Sequence, residues 1–406
     1  MTDSYGPTTV NPRLALLALA VGGFAIGTTE FAAMSLLPQF ARGLGIDEPT
    51  AGHVISAYAL GVVVGAPMIA VLAAKIERRV LLIGLMTFLG IANGLSALAP
   101  TYHLMLLARF LSGLPHGAYF GVGSLVAASM VPREKRSRAV SRMMLGLTIA
   151  TIAGVPLANG IGQWFGWRWG FGIVAIIAAA TVAMLVRFAP ILRPAKDASP
   201  LGELAALRNG QVWLTLAIGA VGFGGIFCVY TYLASTLTEV TGVSSAFTPV
   251  AFALFGVGMT IGTLVCAKAA DVALMPAAGI TLLFGAGALA LYAPAAPHLW
   301  AILPVVLLIG CGGGLSTILQ TRLMDVAEEA QTLAAALNHS AFNTANALGP
   351  LLGGMAIAAG YGWTATGWVG CGLALGGLAI WGIAVLTERA TQRRDGERLT
   401  LAEGRL

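Results

Sequence analysis

Glu30 lies in an apolar run from Leu14 to about Leu36, within Gly27-Thr28-Thr29-Glu30-Phe31. It is the one acidic residue inside the long apolar segments delimited below. A carboxylate in hydrocarbon is costly, so it must face a protein interior or a wet cavity, where such groups mark function. Arg109 is the one Arg or Lys more than a turn from the end of such a segment. At 1.5 Å per helical residue, Glu30 and Arg109 fall about 7.5 Å and about 9 Å from the centres of their segments, towards the same membrane face. They read as a charge pair or near-pair lining a cavity, or as a structural lock between two helices. Buried pairs are poor stability devices, which favours the cavity.

His116 follows Arg109 by seven residues and shares its helical face. Imidazole changes charge near neutral pH, so a proton-relay or substrate role stands beside a hydrogen-bonded core role. Ser112 and Tyr119 lie close to that face, and Pro115 predicts a kink that frees a backbone carbonyl. In a later segment His339, Asn343 and Asn346, beside Asn338, form a polar stripe at i, i+4, i+7 that either lines the cavity or joins helices. Tyr230, Tyr232 and Phe227 offer aromatic faces to a small molecule, or belong to an interfacial aromatic belt.

The elements that must position these residues follow from composition. The 406 residues are 57% hydrophobic and 10% charged, against roughly 25% charged in soluble domains. This is an all-α membrane protein, with little left for a soluble domain. Apolar runs of about 20 residues, each long enough to span a bilayer, fall at 14–36, 50–73, 80–98, 104–127, 139–162 and 168–187, then at 212–236, 248–268, 274–292, 299–321, 333–357 and 364–387. They predict twelve transmembrane helices as two six-helix bundles: residues 1–189, a linker over 190–210, residues 211–389, and a tail over 390–406. Leu201–Arg208 reads as a short surface helix in the linker.

With the N-terminus placed in the cytoplasm, all but Arg42, Arg109 and Arg168 of the 23 Lys and Arg residues fall on the cytoplasmic side. That bias predicts both termini inside, in a cytoplasmic or inner membrane. The net charge of +6 is thereby explained without nucleic acid. The first run is too long for a signal-peptide core and is read as a retained helix. Cys228, Cys266, Cys311 and Cys371 each fall in a different apolar segment, without metal-ligand spacing. No GxxxxGK[ST] loop, HExxH or CxxC occurs, so direct ATP drive, a metal centre and a bound cofactor are not expected.

The two halves repeat. Leu111-x-Gly113-x-x-x-Gly117 matches Leu308-x-Gly310-x-x-x-Gly314, and Gly61-x-x-x-Gly65 matches Gly258-x-x-x-Gly262, both at an offset of 197. Val155-Pro156-x-x-Asn159-Gly160 matches Gly349-Pro350-x-x-Gly353-Gly354 at 194. Three matches in one order argue for a duplicated six-helix unit, the plan of major facilitator transporters.

The chain resembles that superfamily over nearly its whole length. Within it, the chain is similar to the twelve-helix drug:proton antiporters, especially the group containing sugar-efflux and chloramphenicol-export proteins. The resemblance rests on Gly27-Thr28-Thr29-Glu30-Phe31, Arg109-Phe110-Leu111-Ser112-Gly113, Thr148-Ile149-Ala150-Thr151 through Gly154-Val155-Pro156, Gly166-Trp167-Arg168, and Ala341-Phe342-Asn343-x-x-Asn346-Ala347-Leu348-Gly349. It implies that Arg109 is the fourth-helix Arg associated with proton coupling, and Glu30 a first-helix acid that handles substrate and protons. It also implies gating or structural roles for Pro156, Gly160, Pro350, Gly354, Arg78 and Arg79. The family's GxLaDrxGrr loop survives as Ala70-x-Leu72-Ala73-Ala74-Lys75-x-Glu77-Arg78-Arg79, with Ala74 in place of its Asp and Glu77 in place of its second Gly.

The function so implied is secondary active transport by alternating access: export of a small organic molecule (drug, sugar or nucleoside) in exchange for protons, by a monomer in the lipid bilayer. Proton-coupled import on the same fold is the alternative. A non-transporting receptor or a membrane-embedded enzyme is disfavoured, because the loops are short and no nucleophile–base set is found.

Overall fold

The computed structural model describes residues 11–73, 75–132, 136–192, 208–326 and 331–403. Ala74 of the loop signature, most of the 190–210 linker and Leu201 to Leu207 of its expected surface helix lie outside the described residues, which contain no strand. In chain order the helices are α1 (Pro12–Ser35), a short α2 (Leu37–Leu44), α3 (Glu48–Leu72), α4 (Arg78–Leu98), α5 (Tyr102–Gly113), α6 (His116–Ser129), α7 (Arg136–Ile149), α8 (Val155–Phe165) and α9 (Arg168–Phe188). They continue with α10 (Gly210–Gly222), α11 (Gly224–Glu239), α12 (Thr248–Val272), α13 (Leu274–Ala290), α14 (Leu299–Cys311), α15 (Leu315–Val326), α16 (Gln331–Ala356) and α17 (Ala365–Glu403).

Caps set where several of these begin. Asn11 accepts from the Arg13 amide ahead of α1, with Pro12 in the first turn, where a missing N–H costs nothing. Asp47 accepts from the Thr50 amide at 2.7 Å ahead of α3, and Thr101 from the Leu104 amide ahead of α5. These side chains satisfy donors that a helix start leaves without partners.

Ten stretches among the described residues are long and apolar enough to cross a membrane. Two further elements matter beside them. One is α5–α6, broken at Leu114 and Pro115 into pieces of 12 and 14 residues. The other is α16, which carries Asn338, His339, Asn343 and Asn346. The expected single helices at 104–127, 139–162, 212–236 and 299–321 are therefore interrupted. Proline explains the first two, since it lacks an N–H and clashes with the preceding turn: Pro115 breaks α5 from α6, and Pro156 follows a π-helical turn over Ala150–Gly154. The others are interrupted at Phe223, between α10 and α11, and by a 3₁₀ turn over Gly312–Gly314. The expected tail over 390–406 is helical as far as it is described. The last helix runs on to Glu403, 39 residues in all, or about 58 Å against a hydrocarbon core of about 30 Å.

Glycines seat the helices, and they do so identically in the two halves. A Cβ on Gly61 would meet the Phe110 carbonyl oxygen at 2.1 Å, and one on Gly113 the Tyr58 carbonyl oxygen at 2.1 Å. The residues 197 positions on repeat this geometry, Gly258 against the Leu307 carbonyl at 2.1 Å and Gly310 against the Phe255 carbonyl at 2.4 Å. Small residues permit this close approach between membrane helices. The sequence repeat is thus a repeat of packing as well.

The halves meet through α3 against α16, α1 against α11, and α8 against α12. Hydrogen bonds between them join Ser56 Oγ to the Ala347 carbonyl at 2.9 Å, Gln163 Nε2 to the Ser245 carbonyl at 2.9 Å, Ser235 to the Glu48 carboxylate, and Asn346 to Glu30. All four lie towards the ends of the helices remote from the basic segments at 75–79 and 136–142. The bundle is closed at that end.

Candidate functional site

Glu30 is buried on α1. Asn346 on α16 donates Nδ2 to its Oε1 at 3.1 Å. Because Nδ2 is committed to an acceptor, the Asn346 Oδ1 is left as a buried acceptor without a protein partner. The next residue, Phe31, meets two aromatic rings of the other half. It stacks on Phe227 at 6.2 Å and meets Tyr230 edge-on at 5.7 Å. Tyr230 in turn packs on Phe252 and Phe255, at 4.7 and 4.4 Å, and its hydroxyl is buried with no hydrogen-bond partner. Tyr230 and Tyr232 are 1% and 0% exposed, so the interfacial-belt reading of these tyrosines is corrected.

Arg109 is fully buried on α5, and it does not contact Glu30 directly. The ion pair among the described residues with an N–O distance within 4.0 Å is Arg322–Glu388. Arg109 instead grips the neighbouring residue. Its Nη1 donates to Thr29 Oγ1 at 2.8 Å and its Nη2 to the Thr29 carbonyl at 3.0 Å. The guanidinium lies over the Tyr58 ring at 4.4 Å, a cation–π contact strengthened by desolvation. Thr29 passes the bond on, donating to Asn93 Oδ1 on α4 at 2.5 Å, and Asn93 donates to the Leu89 carbonyl. The expected charge pair is therefore a near-pair, one residue out of register.

His116 Nδ1 is 2.9 Å from the Tyr58 hydroxyl. Its ring centroid lies 5.9 Å from that of His339, across the two halves. His339 stacks flat on Phe120, at 5.4 Å and 4°. Tyr58 thus joins both cationic candidates of the first half, touching Arg109 with its ring face and His116 with its hydroxyl.

The remaining expected residues fall into four groups. Asn343 lies one turn before Asn346, donates to the His339 carbonyl at 3.0 Å, and keeps a buried Oδ1 without a partner. Ser112 and Tyr119 turn to backbone: Ser112 donates to the Arg109 carbonyl at 2.9 Å and Tyr119 to the Leu19 carbonyl at 3.0 Å. At the closed end, Tyr232 donates to the Pro350 carbonyl at 2.8 Å. A Cβ on Gly354 would meet the Tyr232 hydroxyl at 2.6 Å and the Pro49 carbonyl of the other half at 3.4 Å. Gly160 has open space around it, and Pro156 follows the π turn. At the other end the Arg78 amide donates to the Leu192 carbonyl at 3.0 Å, and Arg79 donates to the Val186 carbonyl. Thr29, Asn93, Tyr58 and Glu48 were not singled out by the sequence. The signal available for Asn93 was a lone amide in an apolar helix.

The site therefore places an acid, an amide stripe, a guanidinium and two histidines around the contact between two structurally repeated halves. The model of the Major Facilitator Superfamily matches residues 19–338. The inner membrane transport protein YdhP of Escherichia coli (strain K12) is 41% identical over 352 residues, covering 86% of this chain and 90% of the relative. A chloramphenicol resistance protein of Streptomyces lividans is 33% identical over 347 residues, covering 84% and 88%. The crystal structure of the nucleoside transporter NupG superposes with a TM-score of 0.77 over 92% of this chain and 100% of that one; at 13% identity the likeness is one of fold. With this match of sequence and fold, the chain belongs to the major facilitator superfamily, as a multi-pass membrane transporter rather than an enzyme.

Proposed function

We propose that this chain is a proton-coupled antiporter that exports a small organic molecule of the drug, sugar or nucleoside class. Twelve transmembrane helices in two six-helix bundles would carry it, as a monomer with both termini in the cytoplasm. The observation that carries the reading is the bond from Asn346 to Glu30. It joins an ionisable group of one half to an amide of the other, at the contact that alternating access must break and remake. With the basic segments in the cytoplasm, the closed end faces outward.

Glu30 is the proton carrier in this mechanism. Its surroundings change between the two conformations, and that change would decide its proton occupancy. Separation of Asn346 from Glu30 exposes the acid to the outer side, where a proton enters. Closure over the substrate-free cavity carries that proton inward. A substrate on the aromatic wall of Phe31, Phe227 and Tyr230, bonded to Asn343 and Asn346, displaces it. Each ligand drives the cycle only through its different affinities for the two states.

The test uses inverted membrane vesicles energised to acidify their lumen. Candidate drugs, sugars and nucleosides are added to wild type and to Glu30→Gln, with matched protein in the membrane. Substrate-induced proton release in wild type, absent in Glu30→Gln, is the expected result. Release that persists in the variant removes Glu30 from coupling. Substrate flux of the opposite sign makes the protein an importer.

A further inference from the structure

A cavity of about 700 Å³ opens on the flank of the second half, between α13, α15 and α17 and apart from the site above. Its wall is apolar where it runs towards the middle of the membrane, formed by Ile280, Leu283 and Leu378. Ile280 and Leu283 are 70% and 59% exposed, so the wall is open to the lipid side. Its floor is the contact between Gly279 and Trp381. A Cβ on Gly279 would lie 2.7 Å from the indole, and the indole Nε1 is held by the Met275 carbonyl at 2.7 Å.

The mouth is polar and lies at the basic end of the bundle, lined by Arg322, Glu388, Arg389 and Gln392. Arg322 pairs with Glu388 at 2.9 Å, which cancels the one acidic charge there. The Arg322 Nε is nonetheless buried without a hydrogen-bond acceptor. Arg389 is exposed and has no carboxylate partner within 4.0 Å among the described residues. Among the described residues the mouth thus carries a positive charge without a carboxylate partner, next to an apolar slot that opens to lipid.

We propose that this groove binds an anionic phospholipid of the leaflet at the basic end. An acyl chain would lie along Ile280, Leu283 and Leu378, and the phosphodiester would sit at Arg389 in the mouth. Basic pockets between membrane helices on this side select anionic headgroups, each cation contributing about five-fold in affinity. The proposal is independent of proton coupling, because none of these residues belongs to the Glu30 site.

The full-length protein is reconstituted in nanodiscs containing brominated phosphatidylglycerol or brominated phosphatidylcholine at equal bromine content. The Trp381 fluorescence is isolated by difference against Trp381→Phe. Quenching at lower mole fraction by the brominated phosphatidylglycerol is expected. Arg389→Gln, a change at an exposed position, should cut that preference about five-fold, and inorganic phosphate should leave it unchanged. Equal quenching by the two lipids, no quenching, or a preference that survives Arg389→Gln overturns the proposal. Relief of quenching by inorganic phosphate also overturns it, by making the mouth a free-anion site.

Discussion

Asn346 donates its side-chain amide to the Glu30 carboxylate at 3.1 Å, joining residues 316 apart in sequence and in different halves. The bond sits among the contacts that close one end of the molecule, and its loss has a definite direction. Asn346→Ala should shift the population towards the form open at that end by about two- to ten-fold, since a hydrogen bond contributes a net of about 0.5–1.5 kcal/mol. Spin labels on Arg42 and Glu239 read the separation of the halves there. An unchanged distance distribution in Asn346→Ala would mean that the bond does not bias closure.

Arg109 holds Thr29 with two nitrogens, and a lysine ammonium cannot reproduce that fork or its stacking on Tyr58. Arg109→Lys should lower the transport rate at least ten-fold while the protein still reaches the membrane. Thr29→Ser keeps the hydroxyl between Arg109 and Asn93 and should transport near the wild-type rate, whereas Thr29→Val should not. Equal rates in the serine and valine variants would show that the hydroxyl organises nothing.

Gly113 and Gly160 both lie in motifs repeated between the two halves, but their surroundings differ. A methyl group on Gly113 would collide with the Tyr58 backbone, while one on Gly160 meets nothing within 4 Å. Gly113→Ala should destabilise by about 1–3 kcal/mol through overpacking. Gly160→Ala should be neutral, or stabilise by up to about 1 kcal/mol through helix propensity. Thermal melts of the two variants in one detergent decide this, and the reverse order would contradict the close α3–α5 contact.

Asp47 caps α3 just outside its membrane-spanning stretch. Hydrogen bonds from the Thr50 side chain and amide hold its carboxyl below the usual carboxylate range. A depressed folded value means the stabilisation is present above the unfolded value of about 4 and is lost as pH falls through the folded one. Asp47→Ala should cost about 1 kcal/mol at pH 7, and the gap from wild type should close on acidification. Asp47→Asn, which caps without titrating, should keep its stability between the two conditions. A gap between Asp47→Ala and wild type that is constant with pH would show that the carboxylate form adds nothing to the cap.

Much of this protein is legible in the sequence, because a bilayer punishes departures from a few rules. An apolar run of about 20 residues has little alternative to a helix, since each backbone N–H and C=O must be satisfied within it. The cost of a charge in hydrocarbon singles out Glu30 and Arg109 without any structure. The 197-residue offset between glycines announces two like halves, whose helix contacts prove alike down to which carbonyl each glycine faces.

Helix rotation and the meeting of the halves were decided only by tertiary structure. Neighbouring residues on a helix point about 100° apart. Depth arithmetic therefore set Glu30 level with Arg109 but could not tell that Thr29 would take the guanidinium. Glu30 turns instead to an asparagine of the other half, a partner that no local spacing encodes. Ser112 and Tyr119 share a helical region with Arg109 and His116, yet their hydroxyls bond backbone carbonyls, because Arg109 and Leu19 present acceptors within reach. Tyr58 shows the same limit: its ring and hydroxyl link Arg109 to His116 only because Gly61 and Gly113 let α3 and α5 approach to backbone contact.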